Sequence, residues 1–179
     1  MNLTTIGLAV SVPVACWLAI CTRLVPRGQR VAVVRRAAVR RVHDAGAAYR
    51  MPFVESFVSV PAEPHEVPLM VRATTSDGLR VLVLADATVV LPRPKPGTRY
   101  VAPWRVAEPD AEQAVARAVA GWTTSELLSG ISGFHPSLRH AVSAAVDRHG
   151  VTVHELELAH VDVLVDVQAD EGALERDSA

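Results

Sequence analysis

The chain reads as an α+β protein, with an N-terminal membrane helix followed by a domain of mostly antiparallel strands and helices packed on one face. Three observations predict this. Residues 1–22 carry no charged side chain. Between 29 and 91, short runs rich in Val alternate with turn signals, and the longest of them alternates with period two. From 110 to 149, apolar residues recur at helical spacing, and one more strand-like run, VTVHELELAHVDV, follows at 151–163. Strands, then helices, then a single strand is the order of an α+β domain, not of alternating βαβ units.

The elements follow in order. Residues 3–22, LTTIGLAVSVPVACWLAICT, are uncharged; twenty residues at about 1.5 Å each span about 30 Å, the thickness of a bilayer core. A cleaved signal needs a basic n-region, which is missing here. A lipoprotein signal needs small residues ahead of its Cys, and Pro13 and Ile20 spoil both sites. An uncleaved anchor over 1–22 is the reading that remains, with a re-entrant wedge bent at Pro13 as its structural alternative. Trp17 sits near the end of the run, where an amphipathic ring suits the membrane interface. Cys16 and Cys21, the only cysteines, lie in the same run. They read as small buried apolar residues, with acylation as the alternative.

Beyond the anchor, Pro26-Arg27-Gly28 reads as a turn, 29–36 as a strand, 38–42 as a second, and 43–46 as a turn. Strand-like runs at Phe53–Val60 and Val67–Ala73 are separated by Pro61 and Pro64. Asp77-Gly78 offers the positive φ angles of a tight hairpin. The strand after it, Leu79 to about Leu91, has a wholly apolar odd face, from Val81 to Leu91. Its even face mixes Leu82 and Leu84 with Asp86 and Thr88. Such a strand is covered by helices on one side, which leaves Leu82 and Leu84 as candidates for a self-association surface. The proline-rich stretch 93–109 reads as an irregular loop. Helical spacing then begins at Asp110; Thr123 and Glu126 form a capping-box pattern; Pro136 suits a helix start; and Gly150 suits a helix end.

The net charge is −1, but it is unevenly spread: seven Arg lie between Arg23 and Arg41, and the first acidic residue is Asp44. The remaining charged residues are 11 basic against 19 acidic, a net −8. A basic segment directly after an anchor holds its own side in the cytoplasm and faces anionic lipid. Trp17, Arg23, Arg27 and Arg30 are the expected membrane-interface residues. The same Arg run would suit nucleic acid elsewhere, but beside an apolar run it marks topology, and no nucleic-acid partner is expected.

Catalytic, cofactor and metal sites are not expected. There is no G-x-S-x-G, G-x-G-x-x-G or G-x-x-x-x-G-K. His154 and His160 stand six residues apart on one strand, roughly 20 Å at strand rise, too far for one metal. Glu155 and Glu157 read as the charges of an edge strand rather than an acid/base pair. Asp77 reads as a turn residue. A membrane-tethered hydrolase using a Ser/His pair is the weakest of the readings.

The motifs VPRGQRVAVVRR (25–36), GAAYRMPF (46–53), TSDGLRVLV (75–83) and GVTVHELELAHVDV (150–163), in this order and spacing after an apolar N-terminus, resemble the SPFH or Band 7 family of stomatin, prohibitin and flotillin. The resemblance spans about residues 25–163. It implies a non-enzymatic, membrane-anchored scaffold that self-associates and organises membrane proteins or microdomains. Membrane proteases or channels are its implied partners. The expected division is an anchor at 1–22, an SPFH-like domain at 23–163 and a short acidic tail at 164–179. That tail lacks the heptads of a long assembly helix, which motivates an alternative reading: a monomeric or dimeric adaptor regulating a membrane protease or transporter.

Overall fold

The computed structural model describes residues 15–129 and 136–164. A helix α1 covers 15–21. It is followed by β1 (Thr22–Val25), β2 (Gln29–Arg35), β3 (Ala38–His43), β4 (Gly46–Tyr49), β5 (Ser56–Pro61), β6 (His65–Thr74) and β7 (Arg80–Val90). Then come α2 (Pro103–Val119), α3 (Thr124–Ser129), α4 (Pro136–Val146), a short 3-10 turn (Asp147–His149) and β8 (Thr152–Val163). The strands form three antiparallel sheets: β1 with β4, β3–β2–β5, and β6–β7–β8.

The main core lies on one face of β6–β7–β8. The odd residues of β7, Val81 to Val89, are no more than 1% exposed, and Leu91 is 8% exposed. With Leu69, Val71, Leu156, Leu158 and Val161 they meet Ala107, Ala111, Val115 and Val119 of α2, Leu127 of α3, and Leu138, Val142 and Val146 of α4. The period of two on the strand and the period of 3.6 on the helices thus converge on one interior. The small Ala side chains of α2 let that helix lie close to the sheet. Two lesser clusters serve the β3–β2–β5 sheet. Val25 and Ala48 of the β1–β4 ribbon pack with Val31 and Phe57. On the second cluster, Ala32, Val34 and Val39 meet Tyr100, which also touches the main core.

The structure departs from the sequence-based expectations at four places. First, β1 and β4 are four residues each, too short for periodicity to reveal. Thr22, expected to close the anchor, begins β1. Second, α2 starts at Pro103, seven residues before the expected Asp110. Proline suits the first turn, where its missing N–H has no partner to lose. Pro109 lies inside the helix, but it and Arg105 are both on the exposed side. The Arg105 carbonyl freed by the proline therefore faces water. Third, β5 begins at Ser56, not Phe53; residues 52–54 are a turn with Phe53 at φ 65°. Fourth, the 75–79 loop is not a two-residue hairpin turn. Gly78 has φ 82°, whereas Asp77 does not take a positive φ. A true two-residue turn of that class occurs at Arg36-Ala37, with φ 49° and 62° at the tip of β2–β3.

The expected anchor falls mostly on 1–14 and the acidic tail mostly on 165–179, outside the described residues. No helix among the described residues is long and apolar enough to cross a membrane.

Candidate functional site

Two surfaces stand out, one at each chemical extreme. The first is apolar and begins at α1. Trp17, Leu18 and Ile20 on α1 and Leu24 on β1 are exposed, as are Tyr49, Met51, Phe53 and Val54 around the end of β4; these are eight of the fourteen large hydrophobic side chains exposed among the described residues. The two segments are brought together by the register Thr22↔Tyr49 and Leu24↔Ala47. Alternation explains the ribbon's two faces: Val25 and Ala48 turn inward onto Val31 and Phe57, and Leu24 and Tyr49 turn outward. Monomeric soluble surfaces seldom gather apolar side chains this way without a partner.

Charge around this surface is arranged by sign. Glu55 is its one carboxylate between Thr22 and Phe57 other than Asp44, and its side chain is only 8% exposed. It accepts bonds from Arg41 Nη2 and from the Met51 N–H, both at 2.8 Å. Arg23 is exposed on β1 opposite Ala48. Arg27 is exposed in the 26–28 turn, at the other end of the ribbon. Arg30 lies at the start of β2 opposite Val60 and forms an ion pair with Asp44 at 3.3 Å. Asp44 is shared with Arg93 at 3.0 Å. Of the four expected interface residues, Trp17 is on the apolar surface, and Arg23 is exposed on the adjoining strand but shares the face of Val25 and Ala48, not that of Leu24 and Tyr49. Arg27 lies away from the apolar surface, and Arg30 is committed to an internal pair.

The second surface is the uncovered face of β6–β7–β8. Leu82 lies between Arg72 and Asp162, and Leu84 between Met70 and His160. Both leucines are half-buried and Met70 is 63% exposed. Further along, Asp86 stands directly opposite Glu157, and Thr88 separates Glu66 from Glu155. Like charges directly opposite on neighbouring strands are destabilising, so this acidic end is held in place by the packing beneath it. β8 is one of the two edge strands of its sheet, and Glu155 and Glu157 lie on it as expected of edge charges.

The polar side chains of the domain either join elements or cap them locally. Asp77 reaches across to α3: Oδ2 accepts from the Thr124 N–H at 3.1 Å and Oδ1 from the Thr124 hydroxyl at 3.0 Å. The bonds from Thr75 and then Thr124 hold its carboxyl below the ordinary 3.8. The capping box is present beside it: Thr123 N–H donates to Glu126 Oε2 at 2.8 Å, and Glu126 N–H donates to Thr123 Oγ1 at 3.3 Å. Asp110 on α2 holds Arg148 and His149 of the 3-10 turn, and these two, Arg148 first, lower its carboxyl from 3.8. His160 pairs with its neighbour Asp162. Among the described residues, no three His, Cys, Asp or Glu side chains converge to hold a metal ion.

Sequence reasoning missed the apolar end as a unit. Its strongest local signal was MPFV at 51–54, three apolar side chains around a proline. Read as the beginning of a strand, it raised no question of exposure.

The chain matches the SPFH domain / Band 7 family over residues 23–170, from the second residue of β1 to beyond the end of β8. No curated protein matches it. The match takes in the β1–β4 ribbon, all three sheets and all the helices after α1, well over half of the chain. The chain therefore belongs to the SPFH domain / Band 7 family, a family of membrane-associated, generally non-enzymatic scaffold proteins.

Proposed function

We propose that this protein is a membrane-anchored, non-enzymatic scaffold that self-associates and organises membrane proteins or microdomains. The observation that carries the reading is the apolar end. Eight exposed hydrophobic side chains are gathered where the domain meets the uncharged N-terminal run. The uncharged run ahead of β1 acts as a single-pass anchor, and the Arg-rich segment after it keeps the C-terminal domain on the cytoplasmic side. Arg23, exposed on β1 next to α1, is the cation placed to meet anionic headgroups, worth about 1 kcal/mol near such a surface. Self-association uses the uncovered sheet face around Leu82 and Leu84, and a membrane protease or channel is the partner class.

A second reading is favoured by the tail. Residues 164–179 carry five acidic side chains against one Arg and no sustained heptads. An acidic stretch of this kind at 164–179 suits a monomeric or dimeric adaptor that regulates a membrane protease or transporter.

Fractionation followed by sizing tests both. The full chain, expressed in cells, should sediment with membranes and resist extraction by alkaline carbonate; recovery in the soluble fraction would sink both readings. Extracted in mild detergent, a scaffold elutes at many times the mass of one chain and yields a ladder of self-adducts on crosslinking. An adaptor elutes as one or two chains with a single foreign partner.

A further inference from the structure

Most of the apolar end could serve lipid simply by lying next to an anchor. Phe53 is different. It is 97% exposed, the most exposed large hydrophobic residue described. Its backbone sits at φ 65°, a region in which a bulky residue is a genuine outlier and glycine is the ordinary choice. A bulky aromatic that is both strained and unpacked contributes nothing to the domain's own interior. Strained backbone of this kind clusters at functional sites.

The turn that carries Phe53 is not loose. Its neck is closed by the Glu55 N–H donating to the Met51 carbonyl at 3.0 Å and by the Met51 N–H donating to Glu55 Oε2 at 2.8 Å. Arg50 then joins the turn to α1. Its backbone N–H donates to the Cys21 carbonyl at 2.8 Å, and its Nε donates to the Ile20 carbonyl at 3.3 Å. Those are carbonyls of the last turn of α1, which have no partner within the helix. The same guanidinium donates from Nη1 to the Glu55 carbonyl at 3.5 Å and lies over the Phe57 ring, 5.1 Å from its centre. One side chain thus holds the end of α1, the neck of the turn and the first residues of β5 in fixed relation.

We infer that the 51–54 turn is a second lipid-contacting element, inserted into the bilayer interface beside α1, and that Arg50 is the positioning residue that sets its offset from the helix. The inference rests on the membrane reading above. The occupant is lipid because the surface includes α1, residues 15–21, which are part of the uncharged run 3–22. In addition, the neighbouring carboxylate, Glu55, is only 8% exposed and is paired with Arg41, so the outward side chains of 51–54 are apolar with no exposed negative charge beside them. Two points of contact fix the orientation of the domain on the membrane, where a lone anchor would let it swivel.

The test uses the full chain reconstituted into phosphatidylcholine vesicles containing a minority of phosphatidylglycerol. Phe53→Cys, in a Cys16→Ser, Cys21→Ala background, carries an environment-sensitive nitrobenzoxadiazole label. The expected result is a blue-shifted emission that lipids spin-labelled near the headgroup quench and aqueous iodide does not. Arg50→Met should reduce that lipid quenching while the chain still floats with the vesicles. A label quenched by iodide and not by lipid, on a chain that floats, overturns the inference and leaves the membrane reading standing. A label shielded from both shows a protein contact and overturns it too. A chain that does not float overturns the membrane reading itself. Phe53→Gly, with both cysteines in place, should melt at or above the parent's temperature; a lower temperature would show that the ring packs within the protein and overturns the proposal.

Discussion

Changing Leu82 and Leu84 together to Lys separates a contact surface from a core. Each leucine is half-buried in the single chain. Complete burial of such a side chain is worth about 1.5–3 kcal/mol, so each substitution forfeits about 1 kcal/mol. The methylene stem of lysine recovers part of that by lying along the sheet. At position 82 the new ammonium falls between Arg72 and Asp162, whose effects on it oppose each other. The net cost to the single domain is about 1–2 kcal/mol, a small part of the roughly 5–15 kcal/mol of a typical domain. For a chain of this size, that lowers the melting temperature by about 5 °C. The effect on a seam is larger, because each copy must bury two unpaired ammonium groups at several kcal/mol apiece. At about 1.4 kcal/mol per factor of ten, self-association should weaken by at least about a hundredfold. Light scattering of the detergent-extracted protein reads the assembly, and a thermal melt followed by circular dichroism reads the fold. An intact fold with unchanged particle mass would refute the assignment of this face to self-association. Loss of the fold would show that the two leucines are core.

Three other outcomes follow from the packing and the caps. Leu156→Ala, at a position 1% exposed on an edge strand, should cost about 3 kcal/mol and move the urea midpoint down by a matching amount. Thr123→Ala removes one half of the reciprocal cap at α3 and should cost about 1 kcal/mol, visible as faster amide exchange over Thr124–Ser129 with β7 unchanged. Asp77→Asn tests the acid limb of stability. The folded carboxyl is held below its ordinary 3.8 by Thr75 and then Thr124, so its contribution is complete above that value and is lost as pH falls through the lowered one. The parent should therefore lose melting temperature on acidification below about pH 4 more steeply than Asp77→Asn does; parallel slopes would show that Asp77 titrates alike in the folded and unfolded chain.

What could be read in advance was whatever is written locally. The odd face of β7, the apolar stripe of α4 and the Thr123–Glu126 cap all lie within a dozen residues, and all three occur where periodicity and cap chemistry place them. The family was legible because several weak motifs fall in the right order. What escaped was long-range. The pairing of Thr22 with Tyr49 depends on residues 27 positions apart, and neither four-residue strand has a period of its own. Asp77 was explained by the turn beside it, whereas its carboxylate belongs to a helix 47 residues later. At Pro103 and Pro109, the reflex that proline means loop failed for two physical reasons. One proline occupies the first turn, and the other frees a carbonyl on the wet side of α2. The apolar end is the sum of these gaps: its parts are ordinary in sequence, and only the β1–β4 register and Arg50 make them one surface.

The uncovered sheet face has a direction. Along the strands it passes from Arg72 and Arg80, with the single acid Asp162, at one end, through Leu82 and Leu84, to Glu66, Asp86, Glu155 and Glu157 at the other. Such a gradient acts as a polarity mark. If two copies meet face to face about a two-fold axis parallel to the strands, acid faces acid and arginine faces arginine. Turned about an axis across the strands, each acidic end covers an arginine end while the leucines still meet in the middle. Among symmetric pairs on this face, the sheet's own charges thus admit the head-to-toe arrangement and disfavour the head-to-head one. Added salt, which weakens attraction and repulsion alike, would narrow the difference between them.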